Sequence, residues 1–279
     1  MYEVLLNKVS IFFLLIIFLF LSIFIFIFEF TKKRNEPFSY KFNTDLTSSQ
    51  TRYYYNGFRR ERFIIQPPSH IERSEKYPLV IALHGYTDSK KVFFTPAIID
   101  NEKQQKQFPC FYFAPNNSNK GWENNTDWIR DLILTMLDLY PIDINRIYII
   151  GFSWGGSGSF PFAESLFKDC GIIPAAIVRC AGMSRTSLIS PLNEKTSIWY
   201  NVGTADSERV LTTALGYYNS NRDETTEEVI NEDVIGHFSR ETRIISEKKR
   251  ISYYIGMGHD YVPVFMDSSV LDWLFVQSL

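Results

Sequence analysis

From residue 9 to residue 28 the chain runs for twenty residues without a charge, and all but Ser10 and Ser22 are apolar. As a helix this run is about 30 Å long, the thickness of the bilayer hydrocarbon. A helix in a soluble core keeps a polar face, and this one has none, so the pattern predicts a membrane-spanning helix. A cleaved secretory leader would have a shorter apolar core and a small-x-small cleavage site. The stretch Phe28-Glu29-Phe30-Thr31-Lys32 offers no such site, and residues 1–34 read as an uncleaved N-terminal anchor. Residues 35–60 are polar and tyrosine-rich with little periodicity, and read as a linker with a leading loop.

Beyond residue 60 the rhythm changes to short apolar runs separated by helical stretches. Strands are expected at 62–66, 77–83, 110–114, 146–150, 174–180, 197–202 and, last, 251–255. Trp128, Ile129, Leu132, Ile133, Met136, Leu137 and Tyr140 recur on one helical face, which predicts a helix over 127–140. Further helices are expected over 155–168 and 270–276. The acidic stretch 221–231 and the basic stretch 247–250 read as solvated loops or helix faces. Strands alternating with helices predict an α/β domain over 61–279, with a mostly parallel central sheet covered by helices on both faces.

Composition narrows the class. With 45% apolar and 22% charged residues the chain is neither disordered nor collagen-like. A net charge of −2 supplies no general field for nucleic acid. Cys110, Cys170 and Cys180 are too few for a disulfide framework and show no metal spacing; Cys110 and Cys180 sit in apolar runs, and a Cys170–Cys180 bridge would leave an odd thiol. Lys32, Lys33 and Arg34 follow the apolar span, which by the positive-inside rule places the main domain in the cytoplasm. The sequons Asn116-Asn117-Ser118 and Asn124-Asn125-Thr126 point to the opposite, lumenal side.

The sharpest chemical signal is Tyr148-Ile-Ile-Gly151-Phe-Ser153-Trp-Gly155-Gly156-Ser. A Gly-x-Ser-x-Gly pattern between an apolar strand and a helix is the setting of a nucleophile elbow, in which a strained turn lifts the serine clear of the sheet. An ordinary glycine-rich turn is the alternative. Serine is a weak nucleophile and needs a base held by a third group. Of the four histidines, His70 precedes the central strands and His84 reads as a loop-shaping residue. In such an elbow arrangement the base follows the serine in the chain, which leaves His237 and His259. His259, in Ile255-Gly-Met-Gly-His259-Asp, follows a strand and is the better placed. The acid should end a strand between serine and base. Asp206, in Asn201-Val-Gly-Thr-Ala-Asp206, fits, with Glu208 behind it; Asp169 lies at the wrong end of a helix. A tetrahedral intermediate needs amide donors, and the strand ending in Leu83-His84-Gly85-Tyr86 suggests the backbone N–H groups of Tyr86 and Trp154. Neither cofactor nor metal is called for.

In their order, the His-Gly loop, the Gly-x-Ser-x-Gly elbow, the Gly-Thr-Ala-Asp segment and the Gly-His segment resemble the α/β-hydrolase superfamily. The segments Pro78-Leu-Val-Ile-Ala-Leu-His-Gly-Tyr-Thr-Asp-Ser89 and Ile142-Asp-Ile-Asn-Arg-Ile-Tyr-Ile-Ile-Gly-Phe-Ser-Trp-Gly-Gly156 are similar to its feruloyl-esterase and polyhydroxybutyrate-depolymerase-like branch. The resemblance, from about residue 60 to 279, implies a serine ester hydrolase with Ser153 as nucleophile, His259 as base, Asp206 as acid, and Tyr86 and Trp154 as oxyanion donors. Tyr86 stands where that branch often has Cys, Trp154 where it often has Asn or Ala, and Glu208-Arg-Val-Leu where Val-Pro is usual. The segment 182–196 is too short for a large helical lid, so an open cleft lined by Tyr86, Trp122 and Trp154 would suit an ester with a short or planar acyl group. A prolyl-oligopeptidase-like peptidase, whose elbow also reads Gly-x-Ser-x-Gly-Gly, lacks here the large domain that normally precedes it. A membrane-anchored binding protein on the same fold would usually have lost one of the three catalytic positions.

Overall fold

A computed structural model divides the chain into two compact units, Met1–Thr44 and Asp45–Leu279. The structure describes residues 50–56, 59–72, 74–86, 106–117, 121–123, 126–222, 228–234 and 238–279. The expected span 9–28, His237 and Asn124 lie outside them. Among the described residues no helix is long and apolar enough to cross a membrane.

The second unit is built on one ten-stranded sheet of order β1-β2-β4-β3-β5-β6-β7-β10-β9-β8. Its strands are β1 (Gln50–Asn56), β2 (Arg59–Gln66), β3 (Tyr77–Leu83), β4 (Phe111–Asn116), β5 (Ile142–Phe152), β6 (Ala176–Cys180), β7 (Ser197–Gly203), β8 (Glu228–Val234), β9 (Phe238–Ser246) and β10 (Lys249–Tyr254). The six central strands, β4-β3-β5-β6-β7-β10, are parallel. Two antiparallel strands extend the sheet at each side. Every residue of β3 and of β7 is buried, as expected of strands covered on both faces.

The helices are α1 (Asp127–Leu139), α2 (Trp154–Cys170), α3 (Leu192–Lys195), α4 (Glu208–Asn221), α5 (Val262–Met266) and α6 (Ser268–Phe275). Successive residues of a strand point to opposite faces. Trp199 meets Trp273 of α6, with ring centroids 5.3 Å apart, whereas its neighbour Tyr200 meets Tyr217 of α4 at 5.4 Å. The two helices therefore cover opposite faces. Arg179, in register with Tyr200, lies over Phe160 of α2, so α2 shares the face of α4. Helix α1 buries Trp128, Ile129, Leu132, Ile133 and Met136, the stripe its sequence spacing predicts.

Three expectations need correction. Gln50–Asn56, read as linker, is the edge strand β1, paired residue for residue with β2. Its Thr and Tyr residues suit a strand, and the Asn56-Gly57 dipeptide at its end is a common hairpin signal in the sequence. Neither the acidic nor the basic stretch is loop or helix throughout, because residues from Glu228 onward form β8 and Lys249 and Arg250 open β10. Strand β9, which the hydropathy pattern also missed, turns Arg240 and Thr242 inward. Both find partners there: Arg240 pairs with Asp267 and donates to Ser269 Oγ at 2.8 Å, and Thr242 Oγ1 shares a 2.7 Å hydrogen bond with Ser252. A strand whose buried positions are compensated polar groups carries no apolar alternation to read.

Because the central strands are parallel, the ends of β3, β5, β6, β7 and β10 meet at one edge. His84, Ser153, Ala181, Asp206 and His259 follow those ends. In open α/β sheets that edge is where ligands bind.

Candidate active site

Ser153 occupies the turn from β5 into α2 with φ 54° and ψ −111°, a conformation L-residues seldom adopt. Sequence dictates the turn. A methyl group on Gly155 would fall on the carbonyl groups of Leu83 and His84, and one on Gly151 would fall on the carbonyl of Gly155. The helix can therefore start this close to the end of β3 only without side chains at those positions. Ala181, with φ 49°, shares the strain; among the described residues these are the two non-glycine positions with positive φ. They are tied together, since Ser153 N–H donates to Cys180 O at 2.9 Å. Strain of this kind collects at functional sites.

Ser153 Oγ lies 2.8 Å from His259 Nε2, and His259 Nδ1 lies 2.8 and 3.1 Å from the two oxygens of Asp206. A carboxylate only accepts, so Nδ1–H donates to Asp206, which leaves Nε2 to accept from the serine hydroxyl. The Asp206 side chain is 1% exposed and that of His259 is 41% exposed. The carboxylate is thus held in the interior while the imidazole is open to solvent. Asp206 Oδ1 also accepts from Ser207 N–H at 2.6 Å, at the start of α4, where the helix dipole favours negative charge. The loops carrying acid and base are stitched together: Ala205 N–H donates to Met257 O at 2.9 Å and Gly256 N–H to Thr204 Oγ1 at 2.8 Å.

The third loop, 84–86, packs against the elbow; a Cβ on Gly85 would stand 3.3 Å from Ser153 Cβ. Tyr86 is exposed beside it, its ring 5.4 Å from that of Trp154. His84 is buried, and burial holds its pKa below the ordinary 6.5 against the opposing pull of the Gly85 carbonyl. Phe152 and Tyr261 complete the surroundings, with the Phe152 ring 4.9 Å from both His259 and Tyr261. Sequence reasoning missed both, although Phe152 lies inside the elbow motif and Tyr261 two residues beyond His259.

Other candidates fall elsewhere. Trp122 does not line a cleft: it is 1% exposed and donates its indole N–H to His84 O at 3.1 Å. Glu208 is exposed on the first turn of α4, and Asp169 pairs with Arg130 at 3.2 Å. The cysteines are free thiols, so Cys170 and Cys180 do not pair. Burial pushes Cys110 up to about 12, and burial with the nearby Asp206 and Asp260 carboxylates raises Cys180 further from its thiolate. Neither thiol is a nucleophile near neutral pH. Asn116, acceptor of the first sequon, is buried at the end of β4, where a glycan has no room. Among the described residues no group of three or more His, Cys, Asp or Glu side chains is placed to hold a metal ion.

No family sequence model matches the chain, and no characterised protein matches it by sequence. Solved structures do match it in fold. A thermostable esterase aligns at 20% identity with a TM-score of 0.62, over 84% of this chain and 64% of its own length. The chain thus spans less than two thirds of that protein. Acetyl xylan esterase from Aspergillus awamori aligns at 15% identity with a TM-score of 0.61, over 82% of this chain and 100% of the other. The feruloyl esterase module from Clostridium thermocellum, complexed with sinapinate, aligns at 12% identity with a TM-score of 0.57, over 83% and 89%. The chain has the α/β fold of these esterases.

The elbow generates a stability prediction. Gly155→Ala should cost about 3 kcal/mol or prevent folding, because backbone rather than a movable side chain occupies the space. Gly258→Ala, with nothing within 4 Å, should stay within about 0.5 kcal/mol of wild type. Equal urea midpoints for the two variants would contradict the packing described here.

Proposed function

We propose that this chain is a carboxylic ester hydrolase that works through an acyl-enzyme on Ser153. The observation that carries the proposal is the unbroken relay from Ser153 Oγ through His259 to the buried Asp206. Ser153 Oγ attacks the ester carbonyl while His259 Nε2 takes its proton. The oxyanion of the tetrahedral intermediate develops beside the backbone amides of Tyr86 and Trp154. His259 returns the proton to the departing alcohol. It then removes one from the water that attacks the acyl-enzyme and passes it to Ser153 Oγ as the bond to the acyl group breaks and the acid leaves. Asp206 holds the imidazole tautomer and stabilises the imidazolium.

The substrate follows from the walls. The segment between β6 and β7 is tied down rather than free to act as a lid. Arg179 donates to the carbonyls of Ser184 and Arg185, and Arg185 makes two 2.7 Å hydrogen bonds to Glu164. Aromatic rings of Tyr86, Trp154, Phe152 and Tyr261 around Ser153 and His259 suit short or planar acyl groups. The acetyl xylan and feruloyl esterases that share the fold are in keeping with that class. Purified protein should hydrolyse p-nitrophenyl acetate and butyrate in preference to the laurate, and should leave the corresponding anilide nearly untouched. Ser153→Ala and His259→Ala should each lower kcat about ten-thousandfold or more, and Asp206→Asn by about ten-thousandfold. Equal turnover of the anilide would favour a peptidase, and undiminished activity in Ser153→Ala would end the proposal.

We further infer that residues 9–28 anchor the protein in a membrane, with the positive charges of Lys32, Lys33 and Arg34 setting the following domain on the cytoplasmic side. Burial of Asn116 weakens one of the two sequons that argued for the lumen. The full chain should stay with membranes through alkaline carbonate, and its domain should be digested by protease added from the cytoplasmic side. Release by carbonate, or protection from that protease, would overturn the assignment.

A further inference from the structure

His84 takes no part in the proton relay, yet every polar contact of its ring is spent on backbone. Nδ1 lies 2.6 Å from Gly85 O, and Nε2 accepts from Asn117 N–H at 3.1 Å. A carbonyl cannot donate and an amide cannot accept, so the ring must carry its proton on Nδ1 and keep a lone pair on Nε2. The remaining contacts close a circuit. Trp122 Nε1–H donates to His84 O at 3.1 Å, and its ring meets the imidazole edge to face at 4.9 Å. Asn117 Nδ2–H donates to Gly121 O at 2.6 Å, which fixes the backbone that carries Trp122.

The position of the Nδ1–H bond gives the circuit its purpose. Gly85 C=O and Tyr86 N–H belong to one planar trans peptide unit and point in opposite directions. Holding the carbonyl therefore fixes where the amide proton aims. That amide is one of the two donors assigned to the oxyanion. Without the tether, the flanking Gly85 leaves this peptide free to rotate.

We propose that His84 is a positioning residue which, as its Nδ1–H tautomer, clamps the Gly85–Tyr86 peptide so that the Tyr86 amide faces the tetrahedral intermediate. This rests on the ester-hydrolase reading. The ring is buried, its pKa is held below 6.5 by that burial, and a proton on Nε2 would set two donors against each other at Asn117. A simple filler of space would need none of this wiring.

The test combines a spectrum with kinetics. In protein labelled with nitrogen-15 histidine, His84 should show the Nδ1–H tautomer at neutral pH, assigned by its loss in His84→Gln from a chain with four histidines. On p-nitrophenyl acetate, His84→Ala should lower kcat about a hundredfold, near the loss of one oxyanion donor, with KM little changed. His84→Gln, which keeps an acceptor toward Asn117, should recover part of that loss. Trp122→Phe, a milder change that keeps the ring and removes one N–H, should lower kcat in the same direction without changing KM. An Nε2–H tautomer, a protonated ring at neutral pH, or a His84→Ala effect confined to KM would overturn the proposal. A folded wild type without ester turnover would overturn the hydrolase reading, and the spectrum would still decide the clamp.

Discussion

The site rests on one close approach of two backbones, where Gly155 at the start of α2 lies against the carbonyls of Leu83 and His84 at the end of β3. That contact forces the turn at Ser153 into a conformation that costs on the order of 1–3 kcal/mol, and the fully buried strands on either side hold it there. It also settles two placements at once. Oγ is raised above the sheet edge, and the 84–86 turn is pressed against it, so Ser153 and that loop cannot drift apart independently.

The other two members of the relay arrive by a different route. Asp206 and His259 are 53 residues apart in the chain, but the strands they follow, β7 and β10, are hydrogen-bonded neighbours in the sheet. Pairing of Tyr254 with Gly203 sets the register, and the bonds between residues 204–205 and 254–257 carry it into the loops. The relay geometry is thus a consequence of sheet register rather than of loop sequence. The carboxylate end of the relay is buried and the imidazole is exposed, as the proposed proton transfer to a departing alcohol requires.

Much of this was legible in sequence because it is encoded locally. The apolar runs at β3, β5, β6 and β7 announce buried strands, and the glycines around Ser153 announce a close backbone approach. What escaped was encoded by partnership. Strand β9 hides its inward face in Arg240 and Thr242, whose partners Asp267 and Ser252 lie in other elements. Trp122 resembles a cleft aromatic until its indole is seen to hold the His84 carbonyl. The role of His84 itself depends on Asn117, 33 residues away, and no spacing rule reports a hydrogen bond between a ring and a distant backbone amide.

The most direct measurement is labelling of the full chain by a fluorophosphonate, with mass spectrometry to locate the adduct. The relay predicts a single adduct on Ser153 that disappears in His259→Ala, because the hydroxyl is reactive only when the imidazole takes its proton. A folded chain that forms no adduct, or one labelled at another residue, would contradict an activated Ser153 and leave the strained elbow as architecture alone.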